Sequence, residues 1–297
     1  MLDLVIDQRR RSLGGFDVGR VLPDSQRRMV GPFVFFDHMG PIRFARGIGR
    51  EVDVRPHPHI GLSTVTYLFE GEIMHRDSVG SEVAIRPGEV NWMIAGRGIT
   101  HSERFEKARA EGGPMHGIQS WIALPDGSEE IEPSFSHYGE RDLPALDLGG
   151  GKVRIIAGRA FGAEANVTVL SPMIYAHLEL APGKTIELPN DYTERAAYIV
   201  SGSVEADGHS FRAGQMLLFT ARQPAILKST GQTIFMALGG EPVGPRHIEW
   251  NFVSSSKDRI EQAKADWRAG RMKLPDLDSS EFIPLPPDPP PAANPMP

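Results

Sequence analysis

Two short motifs in this chain place three imidazoles and one carboxylate where a single metal ion could bind them. The motifs are His57-Pro58-His59 and Thr100-His101-Ser102-Glu103. Each motif holds two potential ligands separated by one residue, and on a β-strand such a pair projects from the same face. Three nitrogen donors and one oxygen donor suit a divalent first-row metal. The sequence therefore predicts a metal site with His57, His59, His101 and Glu103 as ligands.

The composition limits the other classes of protein to which the chain could belong. With 297 residues the chain is long enough for two domains, and with no cysteine it can form neither disulfides nor thiolate metal sites. A net charge of -6 argues against direct binding of nucleic acid, which normally requires a basic surface. The sequence has neither a signal-peptide pattern nor an apolar run long enough to span a bilayer. We expect a cytoplasmic monomer that does not bind membranes.

Short runs rich in β-branched and aromatic residues follow one another between residues 32 and 124, and turn residues separate them. They predict strands at residues 33–36, 63–69, 83–85, 90–94 and 117–124. Strands of this length and spacing are typical of an all-β sandwich or barrel. The predicted fold class is therefore all-β.

An internal repeat indicates that the chain holds two copies of this barrel. Residues 57–71 align without a gap with residues 188–202, and Tyr67 then matches Tyr198. After a hairpin that is five residues shorter in the second copy, the four ligand positions of the first copy correspond to Leu188, Asn190, Leu227 and Ser229. Because these side chains cannot replace three imidazoles and a carboxylate, we expect the second barrel to be structural and metal-free.

These patterns divide the chain into three parts. Residues 1–150 are expected to form the metal-binding barrel and residues 151–256 the barrel without metal. Residues 257–297 are expected to form a helix and a proline-rich tail. Serines 254–256 offer helix caps, and Ile260, Ala263 and Trp267 share one helical face that should contact the core. Half of the residues from Phe282 onward are proline, which predicts a polyproline-like or disordered tail.

Three longer segments carry a resemblance to a known family. They are residues 57–61, residues 67–78 and residues 95–103. Together they resemble the pirin family of bicupins, over residues from about Leu13 to Trp267. The resemblance implies two double-stranded β-helix (jelly-roll) barrels face to face. It also implies one metal ion in the first barrel, most often Fe(II), held by the same four ligands. Ligation by nitrogen and oxygen also permits Mn, Co, Ni, Cu or Zn. The wider cupin pattern has a glutamate soon after His-x-His, where this chain has Ser63, so Glu103 would supply the carboxylate.

The resemblance further implies an activity like that of quercetin 2,3-dioxygenase, in which O2 cleaves the heterocycle of a small aromatic substrate, a flavonol. Glu103 would then be both a ligand and the base that accepts the 3-hydroxyl proton. The alternative is a non-enzymatic, iron-binding regulatory protein whose metal state controls the binding of a protein partner. A third hypothesis is another cupin reaction on a small acid or sugar. The first two hypotheses need the same four ligands, so the sequence does not separate them.

The remaining histidines are assigned to other roles. His38 and His116 precede or follow predicted strands and could line the mouth of the pocket or hydrogen-bond to its ligands. Five others are expected to be superficial or structural: His75, His137, His177, His209 and His247.

Overall fold

The computed structural model describes residues 1–287, whose regular secondary structure is mostly β-strand. The first half holds β1 (Leu2–Asp7), β2 (Arg9–Ser12), β3 (Asp17–Leu22), β4 (Phe33–Phe44), β5 (Val54–His59), β6 (Leu62–Glu70), β7 (Ile73–Asp77), β8 (Glu82–Ile85), β9 (Val90–Ile94), β10 (Ile99–Arg104), β11 (Gly113–Ala123), β12 (Ser134–Tyr138) and β13 (Ala145–Asp147). The second half holds β14 (Gly151–Ala160), β15 (Ala163–Glu164), β16 (Met173–Leu180), β17 (Thr185–Glu187), β18 (Glu194–Ser201), β19 (Ser203–Ala206), β20 (His209–Arg212), β21 (Gln215–Phe219), β22 (Ile226–Ser229), β23 (Thr233–Gly240), β24 (His247–Glu249) and β25 (Phe252–Ser254). The helices are α1 (Glu106–Glu111), α2 (Lys257–Arg268) and two short 3-10 turns, Arg50–Val52 and Glu140–Asp142.

Each half of the chain forms a barrel from one large and one small antiparallel sheet. In the first barrel the sheets have the strand orders β12-β9-β6-β11-β4-β3-β2 and β5-β10-β7-β8. In the second they have the orders β1-β21-β18-β23-β16-β14-β13, with β15 beside β14, and β17-β22-β19-β20. The central strands follow the same connectivity in both barrels. The all-β prediction and the predicted duplication are therefore confirmed.

The large sheets of the two barrels face each other across a shared apolar core. Tyr67 and Tyr198, which the repeat aligns, are both buried in this core. The rings of Phe33 and Tyr175 meet at 5.2 Å, and those of Phe36 and Tyr198 at 4.9 Å. Burial of this apolar surface is the main force that holds the barrels together.

The strand pairing refines the register of the repeat. In the first barrel His57 pairs with His101, whereas in the second Ile186 pairs with Leu227. If Leu227 corresponds to His101, then strand pairing makes Ile186 the counterpart of His57. The sequence alignment assigns that position to Leu188, two residues further along the chain. The three apolar residues are all buried, with exposures of 8% for Ile186, 2% for Leu188 and 0% for Leu227. Apolar side chains thus fill the interior of the second barrel at this point.

Strands from near the beginning and the end of the described chain contact the barrel formed mainly by the opposite half. β1 pairs with β21 and so extends the large sheet of the second barrel. Conversely, Phe252 of β25 forms a bridge with Ile60 and shares a cluster with α2. Strand pairing therefore crosses the boundaries expected at residues 150 and 256, and the three-part division stays a proposal.

The C-terminal helix agrees with its sequence pattern. α2 begins after Ser256, whose side chain accepts a hydrogen bond from the Arg259 amide, as an N-cap does. Ile260, Ala263 and Trp267 form its buried face, as predicted. The helix ends at Arg268. Within residues 1–287, no helix combines the length and apolar character needed to cross a membrane.

Candidate metal centre

The three predicted histidine ligands meet between β5 and β10. His57 and His59 project from the same face of β5, and His101 of β10 lies directly opposite His57. The donor nitrogens of the three side chains all lie within 4.8 Å of one another. All three residues are buried. The structure therefore brings together the three imidazoles that the sequence predicted as ligands.

Contacts with groups outside the three rings engage only the Nδ1 atom of each ring. The Nδ1 of His57 lies 2.9 Å from the Arg55 carbonyl oxygen, and that of His59 lies 3.1 Å from the Asn251 carbonyl oxygen. A carbonyl only accepts, so these Nδ1 atoms carry the proton and Nε2 presents its lone pair. The Nδ1 of His101 lies 3.4 Å from the Nδ1 of His75.

The spacing of the free nitrogens suits one metal ion. The Nε2 atoms of His59 and His101 are 3.2 Å apart. Two imidazole ligands on one metal at bond lengths of about 2.0–2.1 Å are separated by roughly 2.9–3.4 Å. The residues therefore fit a divalent first-row metal, and the donor set contains no sulfur.

The electrostatics of the site favour the form of histidine that binds metal. Burial lowers the pKa of His57 to about 4 and lowers the pKa values of His59 and His101 well below the ordinary 6.5. The rings are therefore neutral at neutral pH. Neutral imidazole is the species that coordinates a metal, so protons do not compete for the site near pH 7.

Glu103 lines the same cavity but is not part of the group of three nitrogens. The register of β10 against β5 shifts between His101 and Glu103, so that Glu103 lies opposite Val54. The Thr66 hydroxyl lies 3.4 Å from its Oε1. Burial raises the pKa of Glu103 to about 7, and the bond from Thr66 only partly opposes this effect. The carboxyl group can therefore gain or lose a proton near neutral pH, and its coordination of the metal stays a prediction.

An aromatic-walled cavity of about 800 Å³ adjoins the three histidines. Phe35 and Trp121 stack in this wall with ring centroids 4.0 Å apart and planes at 13°. The edge of Trp121 also meets His59 at 5.1 Å. A cavity of this size lies within the range that accepts small organic molecules, and its walls suit a flat aromatic one.

Sequence reasoning missed one side chain that contacts a ligand. His75, assigned to the surface or to a structural role, is only 4% exposed and contacts His101. Its Nε2 donates to the Asp77 carboxylate over 2.9 Å, and its ring stacks on Phe135 at 4.3 Å. The spacing of His75 and Asp77, two residues apart in one strand, is the signal that could have indicated a shared face.

The two other histidines considered for the pocket lie elsewhere. His38 and His116 contact each other through their Nε2 atoms at 2.7 Å, between the barrels. The Nδ1 of His38 lies 2.8 Å from the hydroxyl of Tyr198 in the second barrel. Neither residue borders the metal cavity, so the expectation that they line its mouth is wrong. Burial lowers the pKa of His38 to about 3, so this ring is neutral and joins the barrels by hydrogen bonds.

Comparisons with known proteins agree with the geometry. The Pirin family model matches residues 15–122, and the model of the Pirin C-terminal cupin domain matches residues 175–273. A pirin-like protein from Caulobacter vibrioides is 63% identical over 287 residues, which is 96% of this chain and 100% of the relative.

Solved structures share the whole fold. The crystal structure of quercetin 2,3-dioxygenase from Acinetobacter baumannii has a TM-score of 0.86 and 33% identity, and the match covers 96% of each chain. The bacterial pirin YhhW from Escherichia coli, solved in complex with nickel(II), has a TM-score of 0.63 and 19% identity. That match covers 81% of this chain and 99% of YhhW and reports a common fold. With both barrels matched by family models and a relative identical at nearly two thirds of positions, the chain belongs to the pirin family of bicupins.

Proposed function

We propose that this protein is a metal-dependent dioxygenase that cleaves the heterocycle of flavonols such as quercetin with O2, with Fe(II) as the metal. The main support is the set of three buried histidines whose free nitrogens converge beside an aromatic-walled cavity. Similarity over nearly the whole chain to a quercetin 2,3-dioxygenase from Acinetobacter baumannii points to the same chemistry.

The metal would be held by His57, His59, His101 and Glu103. Four protein ligands leave positions open on a six-coordinate ion, which is typical of a catalytic site and not of a closed structural one. When bound, the metal would act as a Lewis acid toward a chelating substrate and would promote its reaction with O2.

Glu103 is proposed as the base that accepts the proton of the flavonol 3-hydroxyl. A catalytic base works best when its pKa lies near the operating pH, and burial gives Glu103 a pKa of about 7. The Thr66 hydroxyl lies 3.4 Å from Glu103 Oε1 and 2.9 Å from Gln119 Oε1. Because one hydroxyl donates one proton at a time, Thr66 can turn from Glu103 to Gln119 when the carboxyl group becomes protonated.

The aromatic wall is proposed to orient the substrate. Phe35 and Trp121 offer a flat apolar surface beside His59. A flavonol ring system stacked there would direct its oxygen atoms toward the histidines, while the apolar wall would limit the access of water to the reacting atoms.

The experiment is an aerobic incubation of the iron-loaded protein with quercetin. We expect loss of the flavonol absorbance together with release of carbon monoxide, at a rate well above that of free Fe(II) at the same concentration. His101→Ala, assayed at equal total iron, is the matched control and should behave like free iron. Turnover no faster than free iron would count against the proposal and favour the non-enzymatic, iron-binding regulatory hypothesis.

A further inference from the structure

The segment that follows α2 returns to the first barrel and lies against its metal-binding strand. We call residues 275–287 the C-terminal strap. The amide of Ile283 donates to the carbonyl oxygen of Pro56, the residue before His57, over 2.8 Å. The Trp267 indole N–H donates to the Ile283 carbonyl oxygen over 3.0 Å, and the rings of Trp267 and Phe282 meet at 5.4 Å. The proline-rich tail thus begins as an ordered, hydrogen-bonded part of the fold.

Buried ion pairs attach the strap to β10. Arg104, only 3% exposed, follows Glu103 directly in the chain. Its Nε and Nη2 donate to the two carboxylate oxygens of Asp278 over 2.7 and 2.8 Å, and Nη2 also lies 3.0 Å from Glu281. Asp53 lies 3.5 Å from Nη1 on the other side. A bidentate arginine–carboxylate pair that is shielded from water holds its partners in a fixed geometry.

The strap also forms part of the wall of the metal cavity. Glu281 and Ile283 line it, next to Trp250 and Asn251 from the turn between β24 and β25. These residues therefore border the same cavity as the three histidines. Their position gives the strap a direct influence on which molecules can reach the metal.

We infer that the C-terminal strap is a specificity-determining wall of the metal cavity, with Glu281 and Ile283 limiting the size of the molecules that reach the histidines. The inference rests on the proposed function only in taking this cavity as the ligand-binding site. It predicts that small chelators and small planar substrates pass the strap, and that bulky ones are excluded while the Arg104 ion pairs hold.

The test compares the rates at which two chelators remove iron from the Fe(II)-loaded protein under anaerobic conditions, with each chelator in large excess. The chelators are 1,10-phenanthroline and its bulkier derivative bathophenanthroline disulfonate, which share one metal-binding unit. The variant chain ends at Leu274 and lacks the strap. The matched control ends at Pro287, which retains the strap and removes only the residues after it.

We expect the control to release iron faster to phenanthroline than to the bulky chelator. Association rates among variants of one site commonly differ by about one to three decades, so removal of the strap should reduce this preference by about tenfold. An equal preference in the two proteins would overturn the inference. If the chain ending at Leu274 does not fold, the double variant Asp278→Asn/Glu281→Gln replaces it, with the same expected and contrary results.

The readout separates this inference from the proposed reaction. Loss of chelator preference in a protein that does not cleave flavonols would support the strap and contradict the dioxygenase. If the protein cleaves flavonols but its chelator preference does not depend on the strap, the dioxygenase proposal is supported and the strap inference is contradicted.

Discussion

Replacement of His75 by phenylalanine should weaken metal binding without disturbing the fold. His57 and His59 donate to backbone carbonyl groups, which a side-chain substitution does not remove. His101 is different, because its Nδ1 faces the Nδ1 of His75. Phenylalanine would keep the stacking on Phe135 but would offer no acceptor.

The substitution should reduce metal affinity because it destabilises the metal-bound state more than the metal-free state. With metal on Nε2, the Nδ1 proton of His101 is buried and loses its acceptor. Without metal, the ring can carry its proton on Nε2 and donate to His59, 3.2 Å away. Loss of a partner that orients a ligand typically lowers metal affinity by about 10–100-fold. Because the His75–His101 contact is long, at 3.4 Å, we expect the lower end, about tenfold or roughly 1.4 kcal/mol.

A competition titration of cobalt(II) against a chelating dye measures this affinity, and thermal unfolding of the metal-free protein checks the fold. Asp77 Oδ1 keeps the amides of Val79 and Ser81 as donors at 3.0 and 2.9 Å, but the buried Oδ2 loses its donor His75, so the metal-free variant should fold with a lowered melting temperature. His75→Gln restores an acceptor and a donor and should recover most of the affinity. A His75→Phe protein that binds cobalt within about a factor of two of wild type would refute the reasoning, since the expected loss is at least about tenfold.

Four further predictions concern the site and its surroundings. His57→Ala and His101→Ala should each lose nearly all metal by elemental analysis with an unchanged circular dichroism spectrum; normal metal content would contradict the assignment. Glu103→Gln should retain much of the metal but lose about a hundredfold to ten-thousandfold in flavonol turnover per bound metal, whereas wild-type turnover would leave Glu103 a ligand only. Leu227→Ala should lower the free energy of unfolding by about 2–5 kcal/mol. The metal content of this variant should equal that of the wild type; a loss of metal would indicate that the second barrel also binds metal. Burial raises the pKa of Asp278, but the hydrogen bonds and charge of Arg104 together with its other neighbours hold it below its ordinary 3.8, so this ion pair stabilises the strap above that pH and is lost as the pH falls further. Protease cleavage of the strap should therefore rise only below about pH 4, and a rise near neutral pH would exclude control by Asp278.

Local patterns were sufficient to predict several strands of the first barrel and the grouping of His57, His59 and His101. His57 and His59 share a face because side chains alternate along a strand, and this alternation can be recognised in any sequence. The repeat likewise identified the second barrel, since short strands and turn residues recur in the same order. These features depend on residues close together in the chain.

The missed features depend on residues far apart in the chain. Arg104 and Asp278 are 174 residues apart, and His59 and the Asn251 carbonyl are 192 apart. The Asn251 contact uses a backbone oxygen, which every residue has, so no side-chain pattern can reveal it. Of the predicted proline-rich tail, residues 282–287 have no regular secondary structure, and residues 288–297 lie outside the described residues. Proline content gave no indication that Ile283 would bind the edge of β5.

The exchange of chain ends between the barrels also affects how the protein is made. Leu2 of β1 pairs with Phe219, and His59 donates to the carbonyl of Asn251. A ribosome adds about 5–20 residues per second, so the 192 residues between His59 and Asn251 take about 10–40 s to synthesise at that rate. For most of that interval, once His101 has been added, the nascent chain carries the three imidazoles but lacks both the acceptor of His59 and the strap. The proposed metal site therefore gains its complete surroundings only in the last moments of synthesis, and a chain terminated before Asn251 would carry the histidines without the carbonyl acceptor of His59 and without the strap.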